Sequence, residues 1–332
     1  MSIGGVNRLQ NKTEDRQIFD RGCALLAILA AASYSYGVRV WLLAVTAFAV
    51  SLLTEWCCLY LRKRPFVRAN LDAGLCGVIL LLMLPASVPF SLLIMSCIFA
   101  IIFGRQLFGG RENPVVHPAA AGFCFALLNQ RAAVTMFPKA FGAVPLSGAD
   151  AGALVSGISD TFNRGRGLSG HAVDWLTGLP NQPLGTGSIV LLAVVAAVLV
   201  LRKAANGWVL LPAVAFSAFC SVLLGFMRQP AVQIIGLCLT NQFLFSVIFL
   251  HADPAFSPPD LAGSLYGVAL AGASVILTRV LFITDAPVML AVLLSPAVLK
   301  LCELMRRYQP ENGGADSAER NEASAVPGPG TD

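Results

Sequence analysis

Apolar residues fall along this chain in long runs separated by short polar or basic breaks. The runs lie at about 22–38, 40–61, 71–87, 88–104, 115–130, 187–202, 207–227, 231–250, 262–283 and 285–304. Each has, or approaches, the ~20 residues a helix needs to cross the hydrocarbon core. The pattern predicts an all-α integral membrane protein with about ten transmembrane helices, the shorter ones relying on packed neighbours or local thinning. Pro85, Pro89, Pro114, Pro118, Pro254, Pro258 and Pro259 sit at or near run ends. The segment from Gly104 to Pro114 and the segment His251-Ala252-Asp253-Pro254 read as broken elements. Non-helical backbone at membrane depth is tolerated only inside protein or beside a cavity.

Composition agrees. Hydrophobic residues make up 56% of the 332 positions and charged residues 12%, against about 25% charged in soluble domains. Lipid must therefore be most of the solvent. The net charge of +5 does not point to nucleic acid, because the basic residues form short clusters between apolar runs rather than one stripe. Nine cysteines are scattered through the runs without a CxxC pair. They read as small apolar fillers, the sharper alternative being an iron–sulfur ligand shared with another subunit. No GxSxG, HExxH, P-loop or GxGxxG motif is present, and the three histidines suggest no zinc site.

Charge predicts the orientation. With the N-terminus inside and ten alternating spans, fifteen basic residues fall inside, in clusters such as Arg62-Lys63-Arg64 and Arg202-Lys203, and seven fall outside. That bias places both termini in the cytoplasm of a cell inner-membrane protein. Residues 1–21 are polar and mixed in charge, without a cleavage site after the first apolar run, so they read as a cytoplasmic segment rather than a signal peptide. The membrane domain covers 22–308, with a long external loop at 131–186 rich in Gly, Ser, Asp and Pro. The tail 309–332 reads as disordered and cytoplasmic.

A short internal repeat is visible. Leu84-Pro85-Ala86-Ser87-Val88-Pro89-Phe90 is similar to Leu250-His251-Ala252-Asp253-Pro254-Ala255-Phe256, with Asn70 ahead of the first copy and Asn241 ahead of the second. Five spans carry each copy, so the halves are expected to be inverted, with a site near the midplane between them. Ionisable residues at membrane depth are the first functional candidates. Glu55 and Asp253 are the candidates for an ion path; capping is the competing role for Asp253, and His117 and Asp72 read as structural. Gly109, Gly110, Asn113, Pro114 and Pro254 are expected to scaffold the central site.

These residues carry a resemblance. Arg105-Gln106-Leu107-Phe108-Gly109-Gly110, with Asn113-Pro114 and His117-Pro118-Ala119, resembles the pattern KQLYGGxGxNPFNPA. That pattern belongs to the NqrB/RnfD family, found in Rnf-type electron-transport complexes and in the sodium-pumping NADH:quinone reductase. Phe249-Leu250-His251-Ala252-Asp253-Pro254 resembles that family's FxxTDP break. Leu265-Tyr266-Gly267, Arg279 and Ala291-Val292-Leu293-Leu294 resemble its last two spans, and Glu55 falls where the family has a glutamate.

The resemblance implies two inverted five-helix repeats, similar to urea transporters, carrying flavin. It implies other Rnf/Nqr-type subunits and Na⁺ or H⁺ as partners, in a lipid bilayer. It also implies FMN on the external loop, joined through its phosphate to the threonine of an SGAT motif, with riboflavin a second flavin candidate. No SGAT stands here. The loop offers Ser147-Gly148-Ala149-Asp150, whose carboxylate cannot form the ester, and Ser156-Gly157-Ile158-Ser159. Ser159 supplies the hydroxyl, with Thr161 second, but Ala153 replaces the aspartate expected ahead of the motif. The reading is a membrane subunit of an ion-translocating oxidoreductase complex rather than an enzyme alone. The alternatives are a flavin-free channel or transporter, or a structural subunit, of the same fold.

Overall fold

The computed structural model describes residues 3–110, 113–138, 154–163, 181–225, 236 and 240–308. The tail 309–332, the 147–150 candidate and much of the loop expected at 131–186 lie outside the described residues.

The first long helix, α1 (Ile3–Tyr36), starts well before the first apolar run, so the polar residues expected as a separate N-terminal segment continue the helix. A turn at Gly37 leads into α2 (Arg39–Leu61). One face of α2 is buried through Val40, Leu43, Ala47, Ser51, Glu55 and Leu59. The other exposes Val45, Leu53, Trp56 and Tyr60. An exposed apolar face of this length needs lipid to cover it.

The third run forms a helix only to Leu82: α3 spans Asp72–Leu82. The chain then passes through a buried non-helical stretch before α4 (Phe90–Ile101), which continues into a π-turn at Ile102–Gln106. After the glycine-rich break comes α5 (Pro118–Asn129), with proline at its first turn, where its missing N–H costs nothing. A short helix α6 (Arg131–Thr135) leads to strand β1 (Met136–Pro138), antiparallel to β2 (Leu154–Ser156) with Met136 opposite Ser156. Helix α7 (Ile158–Asn163) follows.

The second half holds α8 (Ile189–Leu201), α9 (Gly207–Gly225), α10 (Phe243–Ser246) extended by a π-turn at Val247–His251, α11 (Asp260–Arg279) and α12 (Ala286–Tyr308). Among the described residues, Asp15–Tyr36, Arg39–Leu61 and Asp260–Arg279 are long and apolar enough to cross a bilayer, and five further apolar helices are shorter. The chain is an all-α membrane protein. Between apolar helices in lipid, close packing of small residues replaces the hydrophobic drive. At Gly267 of α11, a Cβ would press on the Val209 carbonyl of α9.

Freed backbone groups in the non-helical stretch 83–89, the first break, and in the second break at 252–259 are taken up by specific partners, as burial requires. Arg39, 2% exposed, donates from Nε to the Ala86 carbonyl (2.9 Å) and from Nη2 to the Val88 carbonyl (2.8 Å). In the second half, the Asn206 backbone N–H reaches the Ala252 carbonyl (2.6 Å), and its side-chain amide donates to the Pro258 carbonyl (2.8 Å). Each break is therefore stapled by the residue at the mouth of the neighbouring long helix.

Candidate functional site

The glycine-rich element closes around a cluster of buried charges. Gly109 and Gly110 take φ of +109° and +88°, a region that costs other residues about 1–2 kcal/mol. The positive φ values turn the chain back after the π-turn, and the N–H of Gly110 bonds the Arg105 carbonyl (3.1 Å). That fixes Arg105 and Gln106, 6% and 5% exposed, against α2 and α3. π-turns within helices recur at functional sites, and the second one, at Val247–His251, runs straight into Asp253.

Glu55 is 1% exposed. Its Oε2 accepts from Gln106 Nε2 at 2.6 Å, and its Oε1 accepts from Asn70 Nδ2 at 3.4 Å and lies 3.4 Å from Arg105 Nε. Arg105 Nη1 donates to Asp72 Oδ2 at 3.2 Å. Arg21, on α1, donates from both terminal nitrogens to Asp253, at 2.8 and 2.7 Å, and lies 3.8 Å from Asp72. Such a two-point guanidinium–carboxylate pair is the strong, geometrically defined kind. Asp253 also accepts from the Ala255 N–H at 2.9 Å, a local cap, and lies 3.8 Å from His117 Nε2. Capping and charge pairing thus coexist at Asp253. The structure joins α1, α2, α3, the glycine-rich element and the second break through three carboxylates and two arginines.

Two cavities open onto this cluster. One of about 290 Å³ is lined by Arg21, Asp72, Cys76, Arg105, Gly110, Pro114 and Phe256 among others. Another of about 430 Å³ is lined by Glu55, Arg62, Asn70, Gln106, Gly109 and Gly110. Arg62 roofs the second, donating to the Gln106 side chain (3.2 Å) and carbonyl (2.8 Å). Of the sequence candidates, Glu55, Gly109, Gly110, Pro114, Asp253 and Pro254 gather here, and Asn113 closes on Gly109. Sequence reading missed Arg21, Arg105, Gln106 and Asn70 as parts of the site and took Asp72 for structural. Arg105 and Gln106 stand inside the glycine-rich motif, a signal that could have found them. Arg21 lies 232 residues from its partner, a pairing only the fold reveals.

His251 is accounted for structurally. The Pro287 carbonyl can only accept, so His251 Nε2 carries the proton (2.9 Å) and Nδ1 accepts from Tyr266 Oη (2.6 Å), which in turn contacts Ser295 Oγ at 3.0 Å. All ring positions are satisfied, and the histidine ties α10 to α11 and α12.

The loop candidates stand apart from this cluster. Ser156 is exposed and lines a cavity of about 650 Å³ with Arg131, Thr135, Met136, Asp160, Phe282 and Thr284. Ser159 Oγ is half-buried and accepts from the Asn241 N–H at 2.8 Å. Asn163 and Asn241 exchange two amide hydrogen bonds (2.8 and 3.0 Å), and Arg279 lies over the Phe162 ring at 3.9 Å. Gly157 is buried against Phe137, and Thr161 lies within α7. Among the described cysteines, Cys76 and Cys97 are buried and Cys23 and Cys57 exposed, and no group of His, Cys, Asp and Glu there could hold a metal ion.

Residues 9–310 match the model of the NQR2, RnfD, RnfE family. The chain belongs to this family. It is 25% identical over 281 residues to the D-subunit of the ion-translocating oxidoreductase complex of Actinobacillus succinogenes, covering 74% of this chain and 79% of that protein. It is 26% identical over 290 residues to the protein of the same name from Aeromonas salmonicida, covering 77% and 82%. A shorter match, 36% over 106 residues, joins it to the D-subunit of the Na(+)-translocating ferredoxin:NAD(+) oxidoreductase complex of Acetobacterium woodii, over 31% of this chain and 33% of that protein. Family membership agrees with the resemblance carried by the glycine-rich element and the Asp253 break.

Proposed function

We propose that this chain is a membrane subunit of an Rnf-type electron-transport complex and that its carboxylate cluster, with Glu55 and Asp253 buried and Asp72 half-buried, lies on the route of the translocated cation, Na⁺ or H⁺. The observation that carries this is the meeting of Glu55, Asp72 and Asp253 with Arg21 and Arg105 at the two broken elements, in a chain whose relatives are named as subunits of ion-translocating complexes. Intramembrane charge is costly and marks ion routes. Three carboxylates meet two arginines within the cluster, and Arg62 and Arg64 line the cavity beside Glu55. Glu55 faces the larger of the two cavities and is the exchangeable group. Asp253 is clamped at two points by Arg21 and positions the break.

The same reading places the termini and the arginine-rich ends of the helices in the cytoplasm and the 131–186 loop outside, in ten spans of two inverted halves. The matching staples at Arg39 and Asn206, each at the mouth of a long helix and each holding a break, favour that symmetry.

Flavin belongs on the external loop. The cavity beside Ser156 falls within the range of about 300–1,000 Å³ typical of ligand pockets, with Arg131 available for a phosphate and Met136 and Phe282 for a ring. These residues fit FMN, or riboflavin without the phosphate contact. Bound flavin would supply electron transfer, and the chain would supply position, charge and exclusion of water. Ser159 is the acceptor expected by motif, yet its hydroxyl already serves Asn241. That contact favours a second reading, in which the loop is a structural latch without covalent flavin.

Affinity purification of the tagged chain in mild detergent tests the assignment. Co-purification of redox subunits, with donor-driven ion uptake after reconstitution, is the expected result. A chain recovered alone from cells that make a working complex would overturn it. Denaturing-gel fluorescence of the same preparation reads covalent flavin directly.

A further inference from the structure

Four carboxylate side chains are buried among the described residues: Asp20, Glu55, Asp253 and Asp285. Three are paired with arginine: Asp20 with Arg202 at 2.8 Å, Glu55 with Arg105 and Asp253 with Arg21. Asp285, 7% exposed, is the exception, with no ion pair among the described residues. It stands one residue ahead of α12 and takes φ of +58°. Its Oδ1 accepts from Gln242 Nε2 at 3.1 Å.

Gln242 is 3% exposed, and its other polar atom, Oε1, is buried with no partner among the described residues. Its amide also donates to the Met83 carbonyl at 3.1 Å, in the first break. A carboxylate and an orphaned amide oxygen therefore sit on neighbouring buried side chains, with no arginine or lysine among the described residues to neutralise them. A buried carboxylate without a counter-charge needs a proton or a cation, and oxygen atoms are the ligands of hard cations. The titratable group tied to the same turn is His251, whose protonated Nε2 is committed to the Pro287 carbonyl.

We propose that Asp285 and Gln242 form a second binding station for the translocated cation, proton or sodium ion. The station is distinct from the arginine-paired cluster and rests on the reading of the chain as an ion-translocating subunit. α3 separates the two: Asp72 of the cluster is its first residue, and Met83 follows its last. At 1.5 Å per residue, its eleven residues put the stations roughly 16 Å apart. The second station adjoins the external loop. Asn241, next to Gln242, donates its backbone N–H to Ser159 Oγ and a side-chain N–H to Asn163 Oδ1.

Two measurements on the intact complex test this. In the first, the wild-type complex is treated with dicyclohexylcarbodiimide, which modifies protonated carboxyls in apolar surroundings, and modified peptides are mapped. Modification at Asp285 is expected. Protection by added Na⁺ at constant pH identifies a sodium site, and protection only by raised pH identifies a proton site. Absence of modification at Asp285 under all these conditions overturns the proposal. In the second, Asp285→Asn, which keeps the acceptor for Gln242, is reconstituted beside wild type. Loss of most of the ions moved per electron is expected, with the complex assembled. Wild-type transport in this variant also overturns the proposal. If the wild-type complex itself moves no ions, the translocation reading fails, whatever the carbodiimide map shows.

Discussion

The two ends of α3 are built on opposite electrostatic plans. At its first residue, Asp72, carboxylates and guanidiniums interlock: Arg21 holds Asp253 at two points and Arg105 bridges Asp72 and Glu55. At its far end the partners are neutral amides and backbone carbonyls, and Asp285 is held by Gln242. Paired charges are costly to break and hold distant segments in register. A carboxylate without a counter-charge is easily exchanged between a proton and a cation. The difference teaches that this fold holds its buried carboxylates in two ways: in a cluster that Arg21 and Arg105 tie together, with Glu55 facing a cavity, and singly at Asp285, with no counter-charge among the described residues.

Substitutions can break the comparison from either end. The largest effect is expected at the clamp. Asp253→Ala removes both hydrogen bonds of the half-buried Arg21 and leaves it only Asp72, at 3.8 Å; charge-assisted bonds of this kind are worth about 1.5–3 kcal/mol each, and recovery of folded chain, read by size-exclusion of a fluorescent fusion, should fall sharply. Gly110→Val comes next. A β-branched residue at φ of +88° adds χ1 strain to the 1–2 kcal/mol or so of a left-handed backbone, and yield should fall severely. Recovery at wild-type yield and activity would make the glycine-rich element an ordinary loop.

Glu55→Gln should act on transport rather than folding. The amide keeps the shape and the side-chain acceptor for Gln106 while removing the charge, so expression should be normal and ion movement reduced. At the opposite end, Ser159→Ala removes one hydrogen bond to Asn241, worth about 1 kcal/mol, and the melting temperature should drop slightly. The same variant sharpens the flavin question. With a flavin transferase co-expressed, loss of a fluorescent gel band in Ser159→Ala identifies the acceptor, and loss only in Thr161→Ala moves it. No band with an active transferase assigns Ser159 to the latch.

Much of the clamp's position was legible because it rests on local rules. Glycines before a proline signalled the break at 104–118, Asp253 stood ahead of a proline, and Glu55 was a charge inside an apolar run. The helical class followed from the length of those runs. Pairing was not legible. Nothing in sequence spacing brings Arg21 to Asp253 or Gln242 to Asp285, because both contacts cross between segments that only three-dimensional packing makes adjacent. The early end of α3 at Leu82 was also hidden. The apolar run continues to residue 87, and hydropathy cannot separate helix from a non-helical stretch whose carbonyls are satisfied by Arg39, Leu184 and Gln242. Asp285 carried one signal that went unread, a carboxylate at the mouth of an apolar run, followed by Ala286 and Pro287.

The most direct test of the central claim is the number of ions moved per electron in proteoliposomes holding the Glu55→Gln complex, measured beside wild type at matched assembly. The account predicts continued electron transfer with a clear loss of ion uptake. Equal uptake per electron in the two complexes would contradict it and reassign Glu55 to local hydrogen bonding with Gln106 and Asn70.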